Sequence, residues 1–126
     1  MHVAWSLLHP MPQSTVRSYV PREGGIYLLC CRLTAGGWQP CYVGEAADLC
    51  ERLLDHLSSL EANAALKEHL RGHLSGCFYA RVEGPAERTR LMKFLYDAYR
   101  PECNEADPGG APLPVNLPPL AFDGET

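Results

Sequence analysis

The chain has 126 residues, 46% of them apolar and 21% charged, a composition that suits one packed domain and excludes wholesale disorder or a fibrous repeat. Its longest uninterrupted apolar run, Ile26 to Cys31, falls far short of the roughly 20 residues that cross a bilayer. Prolines at positions 10 and 12 cut the apolar start short, so a cytoplasmic protein with no membrane segment is expected. The net charge is −4, yet four of the fifteen acids follow Asn104, leaving residues 1–104 with eleven acids against eleven bases. A diffuse cationic surface for polyanions is thereby excluded. All but two of the bases are arginine, which leaves room for a local, bidentate phosphate site.

Residues 1–22 hold three prolines and no lasting periodicity, and are expected to form an irregular arm. Residues 25–33 are strand formers, apolar on both faces, which suits a central strand covered on each side. The turn residues Thr34 to Gly37 and a second strand over 38–43 complete a hairpin, with Pro40 expected at an edge or a bulge because it has no N–H to donate. The pattern then turns helical near Ala46, with Leu49, Leu53, Leu57 and Leu60 on one stripe. Leu66, Leu70 and Leu74 predict a shorter second helix within 61–76, weakened by Gly72. Cys77 to Val82 reads as a third strand. Gly84-Pro85 opens a last helix that Pro101 ends. From Glu105 onward five of the eleven prolines and a Gly-Gly pair predict an extended or disordered tail. The fold class is therefore α/β of the α+β kind: a small, mainly antiparallel three-stranded sheet flanked by helices. An arm over 1–22, a domain over 23–104 and a tail over 105–126 divide the chain.

Six cysteines include no C-x-x-C pair, and buried reduced thiols are the expectation in a cytoplasmic chain. Cys30 and Cys31, being adjacent on a strand, must point to opposite faces. His69 and His73 stand at i, i+4 with no third metal ligand near them in the sequence, and read as solvated or capping histidines.

Chemistry gathers on the hairpin. Gly25-Ile26-Tyr27 on the first strand is followed fifteen residues later by Tyr42-Val43-Gly44 on the second. Arg52 lies ten residues after Tyr42 and His56 one helical turn further, while Pro101 and then Asn104 follow the last helix. These elements, in this order over residues 24–104, resemble the GIY-YIG nuclease superfamily. The resemblance implies a GIY-YIG-like fold and a metal-dependent endonuclease that hydrolyses phosphodiester bonds. It implies Tyr42 as general base, Arg52 as phosphate clamp and Tyr27 and His56 as supporting hydrogen-bonders. Asn104 joins Arg52 as a nucleic-acid contact, and the implied partner is nucleic acid, with DNA the first expectation. Elementary chemistry agrees, since phosphodiester hydrolysis needs an activated nucleophile and cations to neutralise the charge growing on the phosphoryl oxygens.

One part is missing from that pattern. The family's glutamate for the divalent metal, usually magnesium, belongs nine residues before the proline, where this chain has Met92. A thioether is a poor ligand for a hard cation. Glu87 and Asp97, each five residues away, point elsewhere around the helix. Glu45, which stands where a basic residue is common in the family, is the weak candidate for the vacated role. A domain that contacts phosphodiesters with little or no hydrolysis is expected. The alternatives are a non-catalytic nucleic-acid-binding module and a protein-interaction domain on the same fold.

Overall fold

The computed structural model describes residues 1–32, 37–58, 61–72 and 75–120. Eight elements follow in chain order: β1 (His9–Pro10), α1 (Gln13–Tyr19), β2 (Gly25–Arg32), β3 (Trp38–Ala46), α2 (Leu49–Leu57), α3 (Ala64–Gly72), β4 (Ser75–Arg81) and α4 (Pro85–Tyr99). The sheet order is β1-β4-β2-β3 and every pairing is antiparallel. β2 is buried from Gly25 to Cys31, as its two-sided apolar sequence requires.

The strand period of two splits the core into two layers. Tyr27, Leu29 and Cys31 face α1, α2 and α3, in a layer with Val16, Leu49, Leu53 and Leu66. Ile26, Leu28 and Cys30 face the other way, in a layer with Val43, Phe78, Leu91 and Leu95. Cys30 and Cys31 thus separate as the sequence predicts. Pro40 pairs opposite Cys30 on the edge strand β3, at a register shift that leaves Cys41 as the extra residue. Both an edge and a bulge excuse its missing N–H.

Helix boundaries follow local chemistry. The Asp48 side chain accepts the Glu51 N–H at 2.9 Å and caps α2, so that helix starts at Leu49 and β3 runs on to Ala46. Asn63 caps α3 by accepting the Leu66 N–H at 3.1 Å. Pro85 occupies the first turn of α4, which ends at Arg100 in the left-handed conformation with φ 47°.

The arm is the main correction. Residues 1–22 are irregular only in part, because β1 adds to the free edge of β4 and α1 buries Val16 against α2. The main-chain carbonyls of Pro21 and Glu23 accept the N–H groups of Cys50 and Leu49 at the start of α2. The tail forms no helix or strand through residue 120, and lies along α4 and the arm. The Asn116 amide pairs with both main-chain groups of Val3 at 2.8 and 2.9 Å, and Val115 joins the α4 layer. Arm and tail are therefore packed parts of one unit. The hairpin turn at 34–36, Leu60, His73, Leu74 and residues 121–126 lie outside the described residues. Gly37, at the end of that turn, has φ 82°, a conformation that favours glycine.

Candidate functional site

β2, β3 and α2 build one cluster of side chains. In the β2–β3 register Tyr27 stands opposite Gly44 and Leu29 opposite Tyr42, so the two tyrosines are diagonal neighbours on the same face. Glycine at 44 is a steric requirement. A Cβ there would fall 2.4 Å from the Tyr27 ring and from its hydroxyl oxygen, and with only hydrogen present the phenol lies across the β3 backbone. Gly25 serves a similar purpose, since a Cβ would meet the Ala80 carbonyl at 2.3 Å. The Tyr27 and Tyr42 rings stack at 6.2 Å between centroids, and His56 meets the Tyr42 ring edge-on at 5.0 Å.

A hydrogen-bond chain runs through the cluster. His56 Nδ1 bonds the Glu61 carboxylate, and Tyr27 Oη lies 2.7 Å from His56 Nε2. A carboxylate can only accept, so Nδ1 carries the imidazole proton and Nε2 accepts the Tyr27 hydroxyl. Burial holds His56 below its ordinary pKa of 6.5, with the Arg52 cation adding to the effect against Glu61. Burial pushes the Glu61 carboxyl up, but hydrogen bonds from His56 and from the Asn63 N–H outweigh it, and the net shift is downward. Tyr27, 1% exposed, is pushed far above the ordinary tyrosine value by burial and by Tyr42, against Arg52. All three protonation states agree: neutral phenol, neutral imidazole, ionised carboxylate.

Arg52 lies beside both phenols, close enough for its cation to interact with each. It sits one turn before His56 on α2, a spacing that puts both side chains on one helix face. Tyr42 and Arg52 are half-buried, whereas Tyr27 and His56 are buried. An incoming group can therefore touch Tyr42 and Arg52, while Tyr27, His56 and Glu61 hold them in place. Beside them lies an open depression of about 300 Å³ lined by Arg52, Asp55, Ser58, Glu61 and Ala62.

Of the predicted site residues, Tyr27, Tyr42, Arg52 and His56 come together. Asn104 does not join them as a free contact. Its Oδ1 accepts the Val43 N–H at 2.9 Å and its Nδ2 donates to the Val43 carbonyl at 2.9 Å, so it braces edge strand β3 next to Tyr42. Glu45 is not available to a metal in the manner expected, because its carboxylate accepts from Arg88 Nε at 3.0 Å. Met92 packs in the α4 layer, on the sheet face opposite the tyrosine rings. Asp97 is held by Lys93 at 2.9 Å, and Glu87 folds back over Gly84 at the start of α4. Glu61 was not foreseen. It lies beyond the end of α2, five residues after His56, and no helical spacing marks it.

No protein-family model matches the chain, and no curated relative matches it. Solved structures do. The GIY-YIG N-terminal endonuclease domain of UvrC from Thermotoga maritima, bound to its catalytic divalent cation magnesium, is 23% identical. It superposes with a TM-score of 0.55 over 71% of this chain and 94% of that one. A tyrosine-to-phenylalanine variant of that domain, with its catalytic divalent cation bound, is 22% identical and reaches a TM-score of 0.56 over 72% and 96%. An asparagine-to-alanine variant is 21% identical with the same TM-score and coverage. With its hairpin tyrosines on one sheet face and α2 and α4 on opposite sides, the chain has the GIY-YIG endonuclease-domain fold.

Proposed function

We propose that this domain receives a phosphodiester of a nucleic acid, DNA in the first instance, at the Tyr42–Arg52 face, and hydrolyses it slowly or not at all. The observation that carries the reading is the convergence of four residues from two strands and a helix into one cluster of hydrogen bonds and ring contacts, of which only a phenol and a guanidinium reach the surface. That pair suits a phosphate. The guanidinium supplies fixed donors to the phosphoryl oxygens. The Tyr42 phenol beside it is the group that would meet an attacking water.

The residues present do not fit a resident magnesium ion, which needs carboxylate oxygens to anchor it. Met92 offers sulfur, and Glu45 is paired with Arg88. Both Glu61 oxygens accept hydrogen bonds, from His56 and from Asn63. Binding without efficient hydrolysis follows from a phosphate clamp that has kept its arginine and lacks its metal carboxylate.

Titration of a labelled nicked or branched DNA at low salt tests the reading. Measurable binding is expected, weakened at least tenfold by Arg52→Ala, with little or no nicking in magnesium or manganese. Absence of binding at low salt would overturn it in favour of a protein-interaction domain. Robust metal-dependent nicking by the unaltered chain would overturn the statement about hydrolysis. Met92→Glu returns an oxygen to the motif position. Because Met92 packs in the α4 layer, this change alone is expected to leave nicking absent; nicking that appears and vanishes when Tyr42→Phe is added would overturn that placement.

A further inference from the structure

Three of the six cysteines gather at one corner of the sheet, with Cys41 next to Tyr42 along β3. Cys31 is near the end of β2 and Cys41 is the extra residue of the β3 bulge, and their sulfurs are 3.6 Å apart. His69 reaches in from α3, with Nδ1 3.2 Å from Cys31 Sγ. These three ligand atoms all lie within 4.8 Å of one another, the one such group of three among the described residues. Cys103, in the segment after α4, donates its main-chain N–H to the Cys41 carbonyl at 2.9 Å, which brings its thiol to the same corner although its sulfur lies outside the group of three. The sequence gives no warning of this, because the four residues come from separate elements and no short spacing joins them.

The arrangement differs from ordinary core packing of thiols. All six cysteines are buried in the two apolar layers, so burial does not set these apart. At this corner an imidazole is placed against the sulfurs and is itself oriented from behind: His69 Nε2 lies 2.8 Å from a Glu102 carboxylate oxygen. The carboxylate must accept, so Nε2 carries the proton and Nδ1 turns a lone pair toward the thiols. A carboxylate fixing the outer nitrogen of a metal-binding histidine is the usual second partner at zinc sites. The spacing agrees as well. With Zn–S about 2.3 Å and Zn–N about 2.0 Å, tetrahedral ligand atoms stand roughly 3.4 to 3.8 Å apart, and the observed 3.6 and 3.2 Å need only small adjustments.

We propose that Cys31, Cys41, His69 and Cys103 form a structural zinc site, with Glu102 as the partner that orients His69. Soft thiolates with one imidazole select zinc over magnesium, so this site is separate from any metal of the tyrosine cluster and stands independently of the nuclease reading. On binding, each of the three thiols releases its proton to solvent and donates a sulfur lone pair to the ion. No electron is transferred. The ion ties β2, β3 and α3 to the segment after α4. That segment is already held by Asn63, whose Nδ2 donates to the Cys103 carbonyl at 2.6 Å and whose N–H bonds Glu61. The zinc corner therefore braces the loop that presents Glu61 to His56.

The test uses the full chain, purified under reducing conditions without chelator. Native mass spectrometry and elemental analysis are expected to find one zinc per chain. Replacement by cobalt(II) should give the thiolate charge-transfer band and the intense d–d absorption of a tetrahedral site. Cys31→Ser and His69→Ala should each abolish stoichiometric zinc, whereas Cys50→Ser should retain it. Glu102→Gln, at an exposed position that leaves the fold intact, should weaken zinc affinity roughly ten- to a hundredfold. Cys103→Ser should reduce the charge-transfer intensity by about one thiolate in three. A folded, reduced chain that takes up neither zinc nor cobalt would overturn the proposal, as would a Cys31–Cys41 disulfide in the freshly purified protein. A cobalt spectrum unchanged in Cys103→Ser would overturn the assignment of the fourth ligand.

Discussion

The two faces of the sheet handle buried polar groups in opposite ways. Beneath α2, Tyr27, His56 and Glu61 form a connected chain that ends at two half-exposed groups, Tyr42 and Arg52. Beneath α4 the layer is apolar, and Arg88, the one buried arginine among the described residues, is closed off by Glu45 and by the carbonyls of Val82 and Glu83 at 3.0, 3.1 and 2.8 Å. A buried polar network that opens to the surface can meet a ligand, whereas one satisfied internally can only hold the fold together. The arginine that matters for binding is thus Arg52, and Arg88, although similar in charge, is structural. Position 92, on α4, falls on the side that has no chemistry of its own.

The comparison can be broken most directly at Gly44. Gly44→Ala drives a methyl group into the Tyr27 ring, and the ring cannot move without breaking its bond to His56. The expected cost is about 3 kcal/mol, read by denaturant unfolding, with nucleic-acid binding lost in parallel. Arg88→Met tests the closed face. It leaves three acceptors without their donor, and is expected to cost about 2 kcal/mol, because Glu45 is near enough to water to recover part of its solvation. Binding per folded molecule should not change. A loss of binding as large as that of Arg52→Ala would erase the distinction between the faces.

Tyr27→Phe sharpens it. The buried His56 Nε2 then lacks a donor, at about 1 to 2 kcal/mol. The Tyr42 and Arg52 groups remain, so binding should weaken by less than in Arg52→Ala. The smallest expected effect is a pH dependence. His56 is held below its ordinary value in the folded state, so below about pH 6.5 the unfolded chain binds a proton that the native one does not. Stability should accordingly fall as pH drops through that range. It should fall again below pH 4.5, where Glu61, also depressed, is protonated first in the unfolded chain. His56→Gln should remove the first slope and shrink the second, since the His56 hydrogen bond is the largest of the contacts that depress Glu61. A first slope that survives the substitution would assign it to another group.

Local pattern carried much of this molecule. Two-sided apolar character marked β2 as the central strand, the turn at Gly37 marked the hairpin, and the helical stripe from Leu49 marked α2. The four motif residues were legible because each is referred to its neighbour by a fixed local spacing, fifteen residues across a hairpin or one turn along a helix. The arm was misread because β1 is only two residues and α1 only seven, too short for periodicity to register; each is held by the edge or helix it docks on.

What tertiary structure alone decided is which polar groups meet across long separations. Glu61 became the partner of His56, Asn104 of Val43, Glu45 of Arg88, and His69 of Cys31, through a loop, an edge strand, a helix on the far face and the docking of α3. Hydrophobic patterning reports which side of an element turns inward. It carries no information about which two inward-facing polar atoms will end up within 3 Å, since that depends on strand order and helix placement, and a single shift in register exchanges every pair.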